Sequence, residues 1–131
     1  MSPFAYQLRK IRTERQLQQK VMAEIIGCEQ SYLSALETDS KVPPQKEKLI
    51  QFLKKLSLSS EQMAELLSAA EKSRRTIHLP LKARSQIFEV CHKLEDQLPN
   101  ISDIQLELIA IALRLNPQEM GGTQNEKRTN L

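Results

Sequence analysis

The sequence predicts an all-α protein: an N-terminal bundle of five short helices followed by a C-terminal helical hairpin. Three observations predict it. Leu, Ala, Glu, Gln and Lys dominate, all good helix formers, whereas there are only three Gly and few alternating β-branched runs. Apolar residues recur at helical spacing in one segment after another. Helix start and stop signals punctuate those segments. Hydrophobic residues make up 40% of the 131, enough for a core, but aromatics are only 4% with no Trp, so that core must be aliphatic.

Ser2-Pro3 opens the first helix, with Ser as N-cap and Pro at the first helical position. Phe4, Leu8 and Ile11 then share one face. After a break near Gln16, a second helix runs from about Gln18, with Val21, Met22, Ala23 and Ile26 as its inner side. Gly27 ends it, as a left-handed glycine does. The third helix spans about Glu29 to Thr38 and is closed by Asp39-Ser40 and Pro43-Pro44. Gln45 to Leu56 forms the fourth, with Leu49, Ile50, Leu53 and Leu56 in register. Ser59 with Gln62 is a capping box that starts a fifth, with Met63, Leu66, Leu67 and Ala70 inward.

Residues 1–73 thus make one bundle, and residues 74–80, RRTIHLP, a connector. A hairpin over 81–115 follows. Its first helix runs from about Leu81 to Gln97, with Ile87, Phe88, Cys91, Leu94 and Leu98 as its stripe. Pro99-Asn100 breaks it, and Ser102 with Gln105 caps the next helix, which reaches about Leu115. In that last helix Ile104, Leu106, Leu108, Ile109, Ile111, Leu113 and Leu115 point in nearly every direction. A helix apolar all round must be buried all round, and a two-helix appendage cannot do this alone. A homodimer formed through Ile87, Phe88, Cys91, Leu94, Ile104, Leu108, Ile111 and Leu115 would bury the surplus. The polar tail, 116–131, is expected to be disordered.

Charge is unevenly spread. Residues 1–56 carry ten Lys/Arg against six acids, +4, whereas residues 57–131 carry nine against ten, −1. A polyanion would dock on the first half. Cys28 and Cys91 are lone thiols, which suits a reducing compartment. No signal peptide is evident, and no apolar run approaches the ~18 residues of a membrane span; a cytosolic protein without membrane attachment is expected. His78 and His92 lack metal-ligand spacing, and Met22 and Met63 read as core fillers. No catalytic constellation, metal site or cofactor motif is visible, so an enzyme is not expected.

The second and third helices, joined by a tight turn, describe a helix-turn-helix. The third begins Glu29, Gln30, Ser31, Tyr32 and seats itself through Leu33 and Leu36. Gln can bond two atoms of adenine and Ser several bases in the major groove. The stretch from Leu8 to Pro43 resembles the phage-repressor (Xre/Cro-like) helix-turn-helix family. The matching positions are Leu8-Arg9 and Arg12, Leu17-Gln18-Gln19, Ala23 through Gly27, Ser34 and Glu37, and Lys41 with Pro43. The similarity covers about the first 70 residues and implies a lambda-repressor-like bundle.

That resemblance implies base contacts from Gln30, Ser31, Ser34 and Ala35, the last through a methyl group. It places Gln19, Tyr32, Ser40 and Lys41 at phosphates, and Arg12 with Glu37 in a buried ion pair. Departures are Gln16 for a small turn residue, Gln18 for a Thr or Asn cap, and Asp39 for glycine. The recognition helix has no Lys or Arg and starts with Glu29. Affinity must therefore come from flanking bases: Arg9, Lys20, Lys41 and Lys46. The implied protein is a repressor from a bacterium, phage or mobile element, binding a palindromic operator in double-stranded DNA as a homodimer. Two other readings keep the bundle: an interaction module without DNA binding, whose hairpin docks another protein, and an antitoxin whose C-terminal half binds a toxin.

Overall fold

A computed structural model describes residues 1–115. Among these residues seven α-helices follow in order: α1 Pro3–Glu14, α2 Gln19–Ile26, α3 Gln30–Glu37, α4 Lys46–Lys54, α5 Ser60–Lys72, α6 Ser85–Gln97 and α7 Asp103–Arg114. A 3-10 turn, Leu98–Asn100, separates the last two. The fold is all-α, and it divides into one unit over Met1–His78 and a second from Leu79 onward. The expected disordered tail lies outside the described residues.

The helix ends are built by local chemistry. The Ser2 hydroxyl accepts from the Ala5 N–H at 3.2 Å, with Pro3 in the first turn. Ser59 and Gln62 cap α5 reciprocally, and Ser102 with Gln105 does the same for α7. Gln18 caps α2 by backbone conformation alone, with no side-chain bond. Gly27 sits at φ +79° and its N–H donates to Ala23 O at 2.9 Å. Gln16, Asp39 and Ser57 adopt the same left-handed conformation at φ 56°, 64° and 51°. Each ends a helix sharply where the family pattern or plain sterics would favour glycine.

All five helices of the first unit contribute to one core, aliphatic apart from Phe4. Phe4, Leu8 and Ile11 from α1 meet Met22, Ala23 and Ile26 from α2, and Leu33 and Leu36 from α3. Leu49, Leu53, Leu56, Leu66 and Ala69 complete it. Two basic side chains stitch the far end. Lys55 Nζ donates to Ile26 O at 3.5 Å, and the Arg15 guanidinium donates to Leu56 O, covering carbonyls left open at helix ends.

Several expectations need correction. Val21 faces out, 39% exposed, because an eight-residue helix needs only Met22, Ala23 and Ile26 to cover the core. The inner line of α5 is Leu66, Ala69 and Ser73, with Met63, Leu67 and Ala70 half-buried on its flanks; Ile50 is likewise half-buried. Ser73 is buried because its hydroxyl works in both directions: it accepts from Phe4 N–H at 2.9 Å and donates to Ala69 O at 2.6 Å. Finally, α6 begins at Ser85, not near Leu81. Ala83 N–H donates to Pro80 O in a turn, and Arg84 is extended before the helix starts.

In the second unit no residue of α6 or α7 is buried. Ile87, Cys91 and Leu94 are half-buried along one face of α6, while Phe88 and Leu98 are exposed. On α7, Ile104, Leu106, Leu108, Ile109, Ile111 and Leu113 are all exposed, as is Leu115 at its end.

Candidate nucleic-acid interface

Helix α3 has two sides of opposite character. Leu33, Leu36 and Glu37 are buried, whereas Gln30 and Ser31 in the first turn are exposed, with Ser34 and Ala35 half-buried beside them. Glu29 is the N-cap in extended conformation; its carbonyl accepts from the Tyr32 and Leu33 N–H groups, both at 3.1 Å, but its side chain caps nothing. The exposed carboxylate therefore stands at the solvent end of the helix, where it complements the helix dipole.

A buried polar knot holds the back of α3. Arg12 Nε donates to Glu37 Oε2 at 2.8 Å, and Arg12 Nη2 to Glu37 Oε1 at 3.0 Å. Arg12 Nη1 donates to Leu17 O at 2.8 Å, so one guanidinium ties α1, the α1–α2 turn and α3. Gln19 Nε2 adds a third donor to Glu37, at 3.3 Å from Oε1. Glu37 is only 2% exposed, and the two-pronged geometry suits a carboxylate taken out of water. The bond from Gln19 was not foreseen in the sequence. It engages one amide hydrogen and leaves the second, with the side-chain carbonyl, for an outside partner.

The segment after α3 folds back on it. Lys41 N–H donates to Ala35 O at 3.2 Å, and Thr38 Oγ1 donates to Ser34 O at 2.8 Å and meets Ser40 Oγ at 3.2 Å. Tyr32 and Phe52 pack edge-to-face with centroids 6.3 Å apart. Lys41 Nζ lies 5.6 Å from the Tyr32 ring centre, and Lys48 Nζ lies 5.8 Å from it and 5.5 Å from that of Phe52. Tyr32, Lys41 and Lys48 with Val42 to Gln45 line an open hollow of about 580 Å³ without a carboxylate in its wall. Lys48 was absent from the sequence expectations, since its apposition to Tyr32 arises only when α4 packs beside α3.

Arg9 and Lys20 are exposed on α1 and α2, and Lys41, Ser40 and Lys46 on the loop and the start of α4. Burial pushes the Tyr32 hydroxyl up, with Cys28 adding to it. Burial likewise raises the Cys28 thiol, with Glu29 nearby adding to it. Asp39, by contrast, is held below the usual carboxylate range by donors from Ser2, whose N–H reaches Oδ2 at 2.7 Å. Among the described residues no cluster of His, Cys, Asp and Glu can hold a metal ion.

Two short helices at a tight turn, the second with a locked back and a bare polar front, set the domain type. The family model of a helix-turn-helix domain matches residues 3–67. This segment is a helix-turn-helix domain. No curated protein and no solved structure matches the chain. The helix-turn-helix domain comprises α1 through most of α5, and α3 is the second helix of its α2–turn–α3 pair. More helices follow it. No helix among the described residues is long and apolar enough to cross a membrane.

Proposed function

We propose that this protein is a sequence-specific DNA-binding transcriptional regulator of the Xre/Cro-like kind, a repressor that binds a palindromic operator as a homodimer. One observation carries the reading: the first turn of α3 offers Gln30 and Ser31 to solvent while Leu33, Leu36 and the Arg12–Glu37 pair hold its other side. In this reading α3 enters the major groove. Gln30 and Ser31 read base edges, with Ser34 and the Ala35 methyl one turn further on. Arg9, Gln19, Lys20, Tyr32, Ser40 and Lys41 bind phosphates and set the register. A helix-turn-helix domain is typical of non-enzymatic DNA-binding proteins, so no catalytic role is assigned.

The second unit supplies the dimer. Its apolar α7 lacks cover, and a second copy of the hairpin would supply it through Ile87, Cys91, Leu94, Ile104, Leu108 and neighbouring residues. Two recognition helices would then reach half-sites about 34 Å apart.

Fluorescence anisotropy with random duplex, followed by selection of bound sites, tests the reading. Binding that weakens steeply with salt, and a two-fold symmetric selected site, are expected. Absent or salt-independent binding favours an interaction module, in which the hairpin docks a different protein. Two features give that alternative its weight: α3 has no Lys or Arg and Glu29 stands at its start, and α7 offers an apolar surface.

A further inference from the structure

On the other side of the Val42–Gln45 segment lies a second concavity, of about 560 Å³, within the size range of small-molecule sites. Leu49, Leu67 and Ala70 give it an apolar floor. Lys46, Arg74 and Arg75 stand at its rim, and the one carboxylate in its wall, Glu71, is held by Arg74 Nη1 at 3.1 Å. Lys46 and Arg75 have no carboxylate within ion-pair distance among the described residues, although Asp39 feels the charge of Arg75. The N-cap of α4, Gln45, also lines the groove and makes no side-chain cap bond, so the N–H groups of that helix start are open; Glu47 in the same turn does not line the groove.

The same four residues, Val42, Pro43, Pro44 and Gln45, wall both this groove and the hollow that holds Tyr32, Lys41 and Lys48. Two consecutive prolines make that wall stiff, since each fixes φ. A molecule pressed against one side therefore acts on the segment that carries Lys41 on the other.

We infer that the groove between the Val42–Gln45 segment, α4 and the end of α5 is an effector site for a small amphipathic anion, one acidic headgroup on an apolar body, and that filling it weakens DNA binding. The apolar floor takes the body, and Lys46 with Arg75 takes the headgroup. The bound anion offsets positive charge beside Lys41 and shifts the shared wall. The coupling rests on the DNA-binding reading; the ligand site does not.

Methyl NMR of the full chain titrated with decanoate, and with decylammonium as the charge-reversed control, tests the site. Saturable shifts at Leu49, Leu67 and Ala70 are expected, with affinity for decanoate at least tenfold above that for decylammonium. The K46Q/R75Q double variant, altered at two exposed positions, should lose that preference while its other methyl signals stay in place. Shifts confined to Leu106, Leu108 and Ile111, or equal binding of the two amphiphiles, would overturn the site. In a parallel anisotropy titration, saturating decanoate should weaken duplex binding at least threefold, and an unchanged affinity would overturn the coupling. A chain that binds no duplex at any salt sinks the DNA reading and the coupling with it, while the NMR titration still decides the ligand site.

Discussion

Arg12 and Glu37, 25 residues apart, share two parallel hydrogen bonds of 2.8 and 3.0 Å in the interior of the helix-turn-helix domain. The pair couples the first helix to the back of the outward-facing one, so stability and presentation of the polar front depend on the same contact. Removing one partner strands a buried charge. Glu37→Ala and Arg12→Met should each cost about 3–5 kcal/mol in urea unfolding. The double variant Arg12→Met/Glu37→Leu should recover much of that loss, because no lone charge is left. A double variant as unstable as the singles would show that the pair contributes more than mutual neutralisation.

Base reading and phosphate anchoring should separate experimentally. Gln30→Ala should cost about 1–3 kcal/mol on the selected site and relax the preference at one base position. Lys41→Gln should weaken all duplexes alike and make the logarithmic salt slope shallower by about 0.9. Glu29→Gln should tighten non-specific binding, because it removes the one carboxylate at the start of α3. If site selection with Gln30→Ala returns the parent sequence, Gln30 is not a reader.

The hairpin should carry the oligomeric state. A chain ending at His78 keeps the whole first core and loses the exposed apolar surface of α7. Light scattering should find it monomeric, with operator binding much weakened through loss of the second half-site. A truncated chain that stays dimeric would place the interface in the first unit instead.

Gln16 offers a test of backbone strain. It holds φ 56° at an exposed turn. A left-handed conformation costs a side-chain-bearing residue roughly 1–2 kcal/mol, and glycine gives back roughly 0.5–1 kcal/mol in unfolded-state entropy. Gln16→Gly should therefore stabilise the protein by about 0.5 kcal/mol in thermal or urea unfolding. A loss of stability would mean that the Gln16 side chain holds the turn in some other way.

Asp39 predicts an acid-range dependence. Ser2 donors hold its folded carboxyl below the ordinary aspartate range. A lowered folded value contributes stability that is present above the unfolded value and fades as pH falls through the folded one. The melting temperature should fall below about pH 4 more steeply in the parent than in Asp39→Asn. Parallel profiles in this window would show that the Ser2–Asp39 contact adds nothing to folding.

Much of this was legible in the residues. Ser2, Ser59 and Ser102 cap helices through bonds to groups three residues away, and Gly27 ends α2 through its own backbone freedom, so each signal is local. The apolar spacing of α1, α3 and α4 sets their buried faces for the same reason. The flanks were less legible. Helical period alone does not say how wide the covered face is: it puts Val21 inside, where the structure exposes it, and does not single out Ala69, which is buried.

The amino-acid order by itself determined an all-α chain, the places where its helices start and stop, and a polar-fronted helix after a tight turn, because those features follow from neighbours a few residues apart. Tertiary packing decided what no local pattern carries. It closed Ser73 onto Phe4 across 69 residues, drew the Gln19 amide onto Glu37, bound Asp39 to Ser2, and set Lys48 over Tyr32. Each of these joins groups from different helices or from the turns at their ends. Their pairing follows from the angles at which aliphatic faces pack, and only then do polar side chains find the partners left within reach.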